Sequence, residues 1–341
     1  MLKFDGADIA MKVCIVGAGA IGGFIGTRLA AAGICELSAV ARGATLAALR
    51  THGWRLNTAA GPIAAPALAT EFAAELGPQD LVIVAVKAPA LASVVPSIVA
   101  LLGPDSVVLP AMNGVPWWFG EGVSALGTAP LESVDPGGRI AAAVPFQHVA
   151  GCVVHASASL LSPGVVLHKM GKGLIIGEPG GGISARVDAI SELLITAGFD
   201  VTRSTRIRYD IWYKLWGNMT INPISALTGS TVDRVLDDPE LRQFCTAAML
   251  EAAAIGACIG CAVLESPEDR FLVARKLGAF KTSMLQDVEA GRVIELDSLV
   301  GAVKEIGERV GVATPNISAL LGLTRLFGRV RGIYPTVQNA K

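Results

Sequence analysis

The stretch that most constrains this chain is "KVCIVGAGAIGGFIGTRLAAAG", Lys12 to Gly33. "KVCIV" is a short apolar, β-rich run, and "FIGTRLAAAG" has helical periodicity ended by Gly33. Between them Gly17, Gly19 and Gly22 form a GxGxxG. Glycines at these spacings permit a tight strand-to-helix turn, let backbone N–H groups approach a pyrophosphate, and set that anion at a helix N-terminus. A tight turn with no ligand can carry the same letters. The strand before and the helix after favour a dinucleotide loop made of Gly17, Ala18, Gly19, Ala20, Ile21 and Gly22.

The pattern then repeats. "ELSAVA" reads as a second strand, "ATLAALRTHG" as a helix, "DLVIVAVK" as a buried central strand, "PALASVVPSIVALLG" as a helix and "SVVLPAMNG" as a further strand. Such alternation implies a parallel sheet with helices on both faces. From Cys152 to Gly177 the sequence reads as a short β-meander with Pro-Gly and Gly-Lys-Gly turns. From about Ser184 the pattern turns helical, and no strand is expected after Arg206. The expected class is α/β followed by all-α, with a Rossmann domain over 11–203 and a helical domain over 204–341. Residues 1–10 either form a disordered extension or precede the true start at Met11.

Composition narrows the function. In 341 residues Lys and Arg number 28 against 29 Asp and Glu, a net charge of -1, and no run of like charge occurs. A nucleic-acid or anionic-membrane footprint is therefore not expected. The apolar run around "DLVIVAVKAPALASVVPSIVALLG" is cut by Lys87, Pro89 and Pro96, and "AAAIGACIGCAVL" is shorter than the ~20 residues of a bilayer span. Six cysteines show no disulfide framework, and four histidines show no ligand spacing. Cys258 and Cys261 form a CxxC in an Ala-rich helical run, which suits packing better than metal or redox use. The expectation is a cytoplasmic protein with a cofactor, no metal and a small-molecule partner.

The dinucleotide is chosen at the end of the second strand. A carboxylate there suits the ribose hydroxyls of NAD, and an arginine suits the 2′-phosphate of NADP. Glu36 begins that strand, roughly 20 Å from its ligand end at ~3.3 Å per residue, whereas Arg42 follows it. NADP(H) is expected. Lys87 and Asn113-Gly114 also follow strands and so fall at the edge where ligands of open α/β sheets bind.

"KLWGNMTIN" poses a different question. Lys214, Asn218 and Asn222 recur at four-residue steps on one helix face, flanked by Trp212, Trp216 and Met219 rather than by the charges of a solvated stripe. Spacing alone leaves open what needs one ammonium and two amides in such apolar surroundings.

Taken in order, "VGAGAIGG", "ARG", "VAVKA", "MNGV", "KLWGNMTINPISALTG" and "TSMLQDVEAGRVIELD" resemble the ketopantoate reductase family along nearly the whole chain. The resemblance implies a Rossmann domain followed by a helical domain like that of 6-phosphogluconate dehydrogenases. It further implies NADPH-dependent reduction of a 2-keto acid to a 2-hydroxy acid in an interdomain cleft, as in pantothenate biosynthesis. On that pattern the general acid falls on Lys214 and the active-site glutamate on Glu295. Substrate contacts fall on Asn218, Asn222, Ser283 and Asn113. Cofactor contacts fall on the glycine loop, Arg42, Lys87, Asn113, Glu295 and, from the strand after the asparagine loop, near Ser157. Glu295 could orient substrate or hold Lys214 protonated, and it could also serve only a helix dipole.

Two departures bear on the substrate. Val232 stands where pantoate-forming members carry a further asparagine, and the loop after Asn113-Gly114 reads "VPWWFG". Trp117 and Trp118 either reshape the cleft or pack, and the expected consequence is a preference for a 2-keto acid with an apolar or aromatic tail over ketopantoate. A hydroxyacid dehydrogenase running oxidatively and a non-catalytic NADP-binding regulator are the alternatives. The oligomer is not legible in the sequence, and a homodimer would form through the helical half.

Overall fold

A computed structural model describes residues 11–276 and 278–335. The expectation for residues 1–10 lies outside the described residues. In chain order the elements are β1 Lys12–Val16, α1 Ala20–Ala32, β2 Glu36–Val40, α2 Gly43–His52, β3 Trp54–Thr58, β4 Gly61–Ala65, β5 Leu68–Thr70, β6 Gln79–Val84, α3 Leu91–Val99 and β7 Leu102–Pro110. They continue with α4 Arg139–Ala143, β8 Gly151–Ser162, β9 Val165–Gly177, α5 Ala185–Thr196 and β10 Asp200–Ser204. Helices follow: α6 Ile207–Thr228, α7 Val232–Asp237, α8 Pro239–Cys258, α9 Pro267–Arg275, α10 Ser283–Glu289, α11 Ala302–Arg309 and α12 Pro315–Val330.

The chain folds as two compact units, residues up to 112 with 139–210, and 113–138 with the residues from 211 onward. The first holds a five-stranded sheet of order β5-β2-β1-β6-β7. Every pairing in it is parallel. Val16 is level with Val40 and Val84, and Val84 with Pro110, so these strands end together. Their sequences explain their place: a parallel strand is buried on both faces and reads as a continuous apolar run. Leu81, Val82, Ile83 and Val84 are all wholly buried.

A second sheet lies in the same unit, ordered β10-β9-β3-β4 with β8 antiparallel to β9. The structure corrects the sequence here. The expected meander is one long hairpin of β8 and β9 turning at Pro163-Gly164. Gly171 is not a turn but lies beside a register irregularity within it, at φ +71, where a Cβ would stand 2.5 Å from the His155 carbonyl oxygen. β3, β4, β5 and β10 were not expected at all. Each has only three to five residues. β4 includes Pro62, and β10 mixes charged with polar side chains, so the alternation that marks a strand is weak.

Helix α1 lies between the two sheets. Seven of its residues from Gly22 to Leu29 are buried, which suits a helix apolar all round. Its glycines set the approach. A Cβ on Gly23 would stand 2.6 Å from Val166 Cγ2 of β9, and one on Gly26 2.5 Å from the Trp54 ring of β3. "AIGGFIGT" is thus glycine-rich for packing as well as for any ligand.

The second unit is helical, and no strand follows β10 among the described residues. The switch to it, after Asp210, lies inside α6. The segment 113–138, which sequence assigns to the first domain, belongs to this unit. It is tied to α11: the Glu305 carboxylate accepts from the backbone N–H groups of Glu132 and Ser133 at 2.9 and 2.8 Å, and Arg309 donates to the carbonyls of Ala129 and Pro130. Burial alone would push the Glu305 carboxyl up, but these bonds and Arg309 hold it below its ordinary value. No described helix is long and apolar enough to cross a membrane.

Candidate active site

The glycine loop is closely packed at two of its three glycines and open at the third. Gly17 follows β1 at φ +94 and donates to the Val40 carbonyl at 3.0 Å. A Cβ there would stand 2.5 Å from Val86 Cγ1. A Cβ on Gly22 would stand 2.0 Å from the Gly17 carbonyl oxygen and 3.0 Å from Ile15 Cγ2, so strand, turn and helix meet without a side chain between them. Gly19 is different: nothing lies within 4 Å of its Cβ position. It is also the N-cap of α1, with no side-chain cap and no acid in the first turn. A 13-residue helix therefore presents uncapped N–H groups beside open space, which fits a phosphate.

The neighbouring loops carry the expected residues. Arg42 is the exposed N-cap of α2, one residue beyond Ala41, and its guanidinium reaches Ser93 Oγ at 3.4 Å. The first turn of α2 holds no acid. Glu36 pairs with Lys12 at the opposite end of the sheet from the glycine loop. Lys87 follows β6 at the same edge as that loop. Ser157 lies in β8 of the second sheet, opposite Met170, where the register slips.

The second unit assembles the other residues. Lys214 and Asn218 are partly exposed and Asn222 is 7% exposed, at four-residue steps along α6. The neighbouring faces of α6 are apolar and fixed. Trp216 is buried with its indole donating to the Met249 carbonyl at 2.7 Å, and Trp212 stacks on Phe119 at 6.0 Å. Lys214 Nζ donates to Asn113 Oδ1 at 2.8 Å. Sequence placed these two residues in one site but gave no sign that they bond each other across 101 positions.

Asn113 owes its position to Gly114. That glycine sits at φ +84, and a Cβ on it would stand 2.5 Å from the Ser298 carbonyl oxygen, which accepts from Val115 N–H at 2.8 Å. Ser298 lies in one turn of π-helix, Asp297–Gly301, immediately beyond Glu295 and Leu296. Such turns are rare and recur at functional sites. Glu295 is 8% exposed, and the Ser298 hydroxyl donates to its carbonyl at 3.4 Å. Lysine, asparagine and the glutamate-bearing segment are thus joined by successive bonds. Ser283 opens α10 behind its cap Thr282 and is exposed.

Trp117 and Trp118 are 5% and 3% exposed, and Phe119 is wholly buried against Trp212. Of the two readings the structure favours packing: the loop braces the lysine helix and offers little indole surface to a substrate. Val232 is likewise buried, as the first residue of α7. Among the described residues no group of three or more His, Cys, Asp or Glu could hold a metal.

These features match known proteins along the chain. The profile described as ketopantoate reductase PanE/ApbA matches residues 13–181, and that of its C-terminal part matches 206–327. A curated 2-dehydropantoate 2-reductase from Mesorhizobium japonicum is 44% identical over 325 residues, covering 95% of this chain and all of that protein. One from Halobacterium salinarum is 28% identical, covering 94% and 99%. A solved structure from Ralstonia solanacearum MolK2, described as a candidate ketopantoate reductase, superposes with a TM-score of 0.91 at 53% identity, covering 95% and 100%. A 2-dehydropantoate 2-reductase from Methylococcus capsulatus gives 0.80 at 27%, covering 95% and 98%. With sequence similarity spanning both units, and the glycine loop and lysine helix in the order that the resemblance requires, the chain belongs to the ketopantoate reductase family.

Proposed function

We propose that this protein reduces a 2-keto acid to the 2-hydroxy acid with NADPH, and that 2-dehydropantoate is the keto acid. The observation that carries the reading is the Lys214 ammonium held at 2.8 Å by Asn113 on a helix whose next two turns present Asn218 and Asn222. The name of the 44% identical relative supports the choice of keto acid. The cofactor belongs to the first unit, on Gly17 to Gly22, Arg42 and Lys87, with Asn113, Ser157 and Glu295 as the contacts that the family pattern adds. The substrate belongs to the second, on Asn113, Asn218, Asn222 and Ser283.

NADPH, when bound, supplies the hydride. As the keto oxygen gains negative charge, Lys214 stabilises it and gives up a proton to form the hydroxyl, so the lysine ends neutral and is reprotonated from solvent. Asn113 accepts one of the three ammonium protons and thereby aims the others. Asn218 and Asn222 hydrogen-bond the substrate's oxygens. Glu295, buried near the start of the π-turn, either orients the substrate or keeps Lys214 charged before each turnover.

A panel of 2-keto acids assayed by NADPH consumption tests the reading, with 2-dehydropantoate expected to show the highest kcat/KM. Reduction of none of the panel would refute it. Val232 favours a second reading. A buried valine where a pantoate-forming enzyme has an amide leaves a substrate hydroxyl without that partner, so branched 2-keto acids without a hydroxyl would be preferred by about 10-fold or more.

The cofactor preference has its own test. Arg42 is exposed at the ligand end of β2 with no acid in the adjoining turn, so NADPH should bind at least about 10-fold more tightly than NADH. Arg42→Ala should remove most of that difference with NADH affinity unchanged. Fluorescence titration of the two reduced cofactors measures it, and equal affinities in the unmutated protein would contradict the assignment.

A further inference from the structure

The segment after α12 touches the same π-turn that holds the Asn113 loop. α12 ends in a Schellman motif, with Gly332 at φ +68 donating to the Arg329 carbonyl at 3.1 Å and Ile333 donating to that of Gly328 at 2.9 Å. The motif turns the chain back. The Ile333 carbonyl then accepts from Ile294 N–H at 3.0 Å, one residue before Glu295. The Tyr334 hydroxyl donates to Asp297 Oδ1 at 2.6 Å, two residues after Glu295. Arg329 lies over the Tyr334 ring, 5.7 Å from its centroid, and its Nε donates to the Pro335 carbonyl at 3.2 Å.

These contacts bracket Glu295 from both sides. They also reach the lysine: Asp297 opens the π-turn, Ser298 in that turn accepts from Val115, and Asn113, two residues before Val115, accepts from Lys214. Room for the strap is deliberate in the backbone. A Cβ on Gly328 would stand 2.7 Å from Tyr334 Cβ and 3.2 Å from Ile294 Cδ1. Burial pushes the Asp297 carboxyl above its ordinary range, while the Tyr334 hydroxyl, Arg325 and Arg329 pull it down. A partly desolvated carboxylate of this kind gains much from one well-placed donor.

We propose that Tyr334 and Asp297 are positioning residues for the active site, acting through the π-turn to hold Glu295 and the Asn113–Lys214 pair in register for catalysis. Neither touches substrate. The proposal rests on the assignment of Lys214 and Glu295 made above, and it predicts that breaking the strap slows turnover without weakening the cofactor.

The test is kinetic. Tyr334→Phe, which removes only the hydroxyl, should lower kcat about 10-fold with 2-dehydropantoate, leaving NADPH affinity and the melting temperature nearly unchanged. Asp297→Asn keeps an acceptor for the tyrosine and should retain most of kcat. Asp297→Ala should behave like Tyr334→Phe, and the double variant should be no slower than either single one, because both remove the same bond. Gly328→Ala, which pushes Tyr334 aside, should give the same loss. Wild-type kcat in Tyr334→Phe, or equal loss from Asp297→Asn and Asp297→Ala, would overturn the proposal. So would a joint fall of kcat, cofactor affinity and melting temperature, the mark of a merely structural contact. Lys214→Ala separates the two levels. If it is inactive while Tyr334→Phe is fully active, the strap alone fails; if it turns over normally, the functional reading fails and the strap with it.

Discussion

Lys214→Ala should lower kcat by at least ~10²-fold while leaving NADPH affinity nearly intact, the scale expected for losing a positioned acid. The position of the ammonium is the reason. It stands partly exposed on α6, is fixed by Asn113 Oδ1 at 2.8 Å, and is flanked on its own helix by the buried Trp212 and Trp216. A lysine of a solvated stripe has no such partner, and its removal changes neither rate nor binding. Asn113→Ala offers an internal control, because it removes that acceptor without deleting the ammonium. A loss smaller than that of Lys214→Ala is expected, the difference between a mis-aimed acid and none. The measurements are single-turnover reduction of 2-dehydropantoate and fluorescence titration of NADPH. A near-normal rate in Lys214→Ala would mean that another group supplies the proton.

How much of this was legible in the sequence depended on how local the cause was. The glycine loop, the parallel strands and the lysine helix are written in short-range patterns: φ > 0 at Gly17, continuous apolar runs in β1 and β6, and four-residue steps along α6. The second sheet was mostly hidden. β3 pairs with β9 across more than a hundred residues, and neither β4 nor β10 has the alternation that would announce it. The same limit applied to the site. "KLWGNMTIN" advertises Lys214 and its amides, but the bond from Lys214 to Asn113 and that from Tyr334 to Asp297 join residues 101 and 37 positions apart, where spacing carries no signal. Gly114 was the available clue. A glycine directly after Asn113 marks a backbone that must press against something, here the Ser298 carbonyl.

The glycine loop yields the sharpest contrast, because its glycines should fail in different ways. In Gly22→Ala the new methyl would stand 2.0 Å from the Gly17 carbonyl oxygen, 3.0 Å from Ile15 Cγ2 and 3.1 Å from Ala85 Cβ. Two of these belong to β1 and the turn that follows it, so no side chain can swing away to relieve the clash, and α1 must move off the sheet. Since α1 is also wedged against Val166 and Trp54 of the second sheet, that movement disturbs both layers. A loss of about 3 kcal/mol or more is expected, the range of overpacked cores with backbone strain, together with loss of cofactor binding. Gly19→Ala should do the reverse. Its φ of -77 is one that alanine adopts, and nothing of the protein lies within 4 Å of the new methyl, so stability should change by less than about 1 kcal/mol. NADPH affinity should nevertheless fall at least about 10-fold, because the methyl occupies space that the pyrophosphate needs beside the N-terminus of α1. Thermal melts and NADPH titration of the two variants decide the matter without any turnover assay. A Gly19→Ala protein that binds NADPH as tightly as the unmutated one would show that the open space beside Gly19 is not where the phosphates lie.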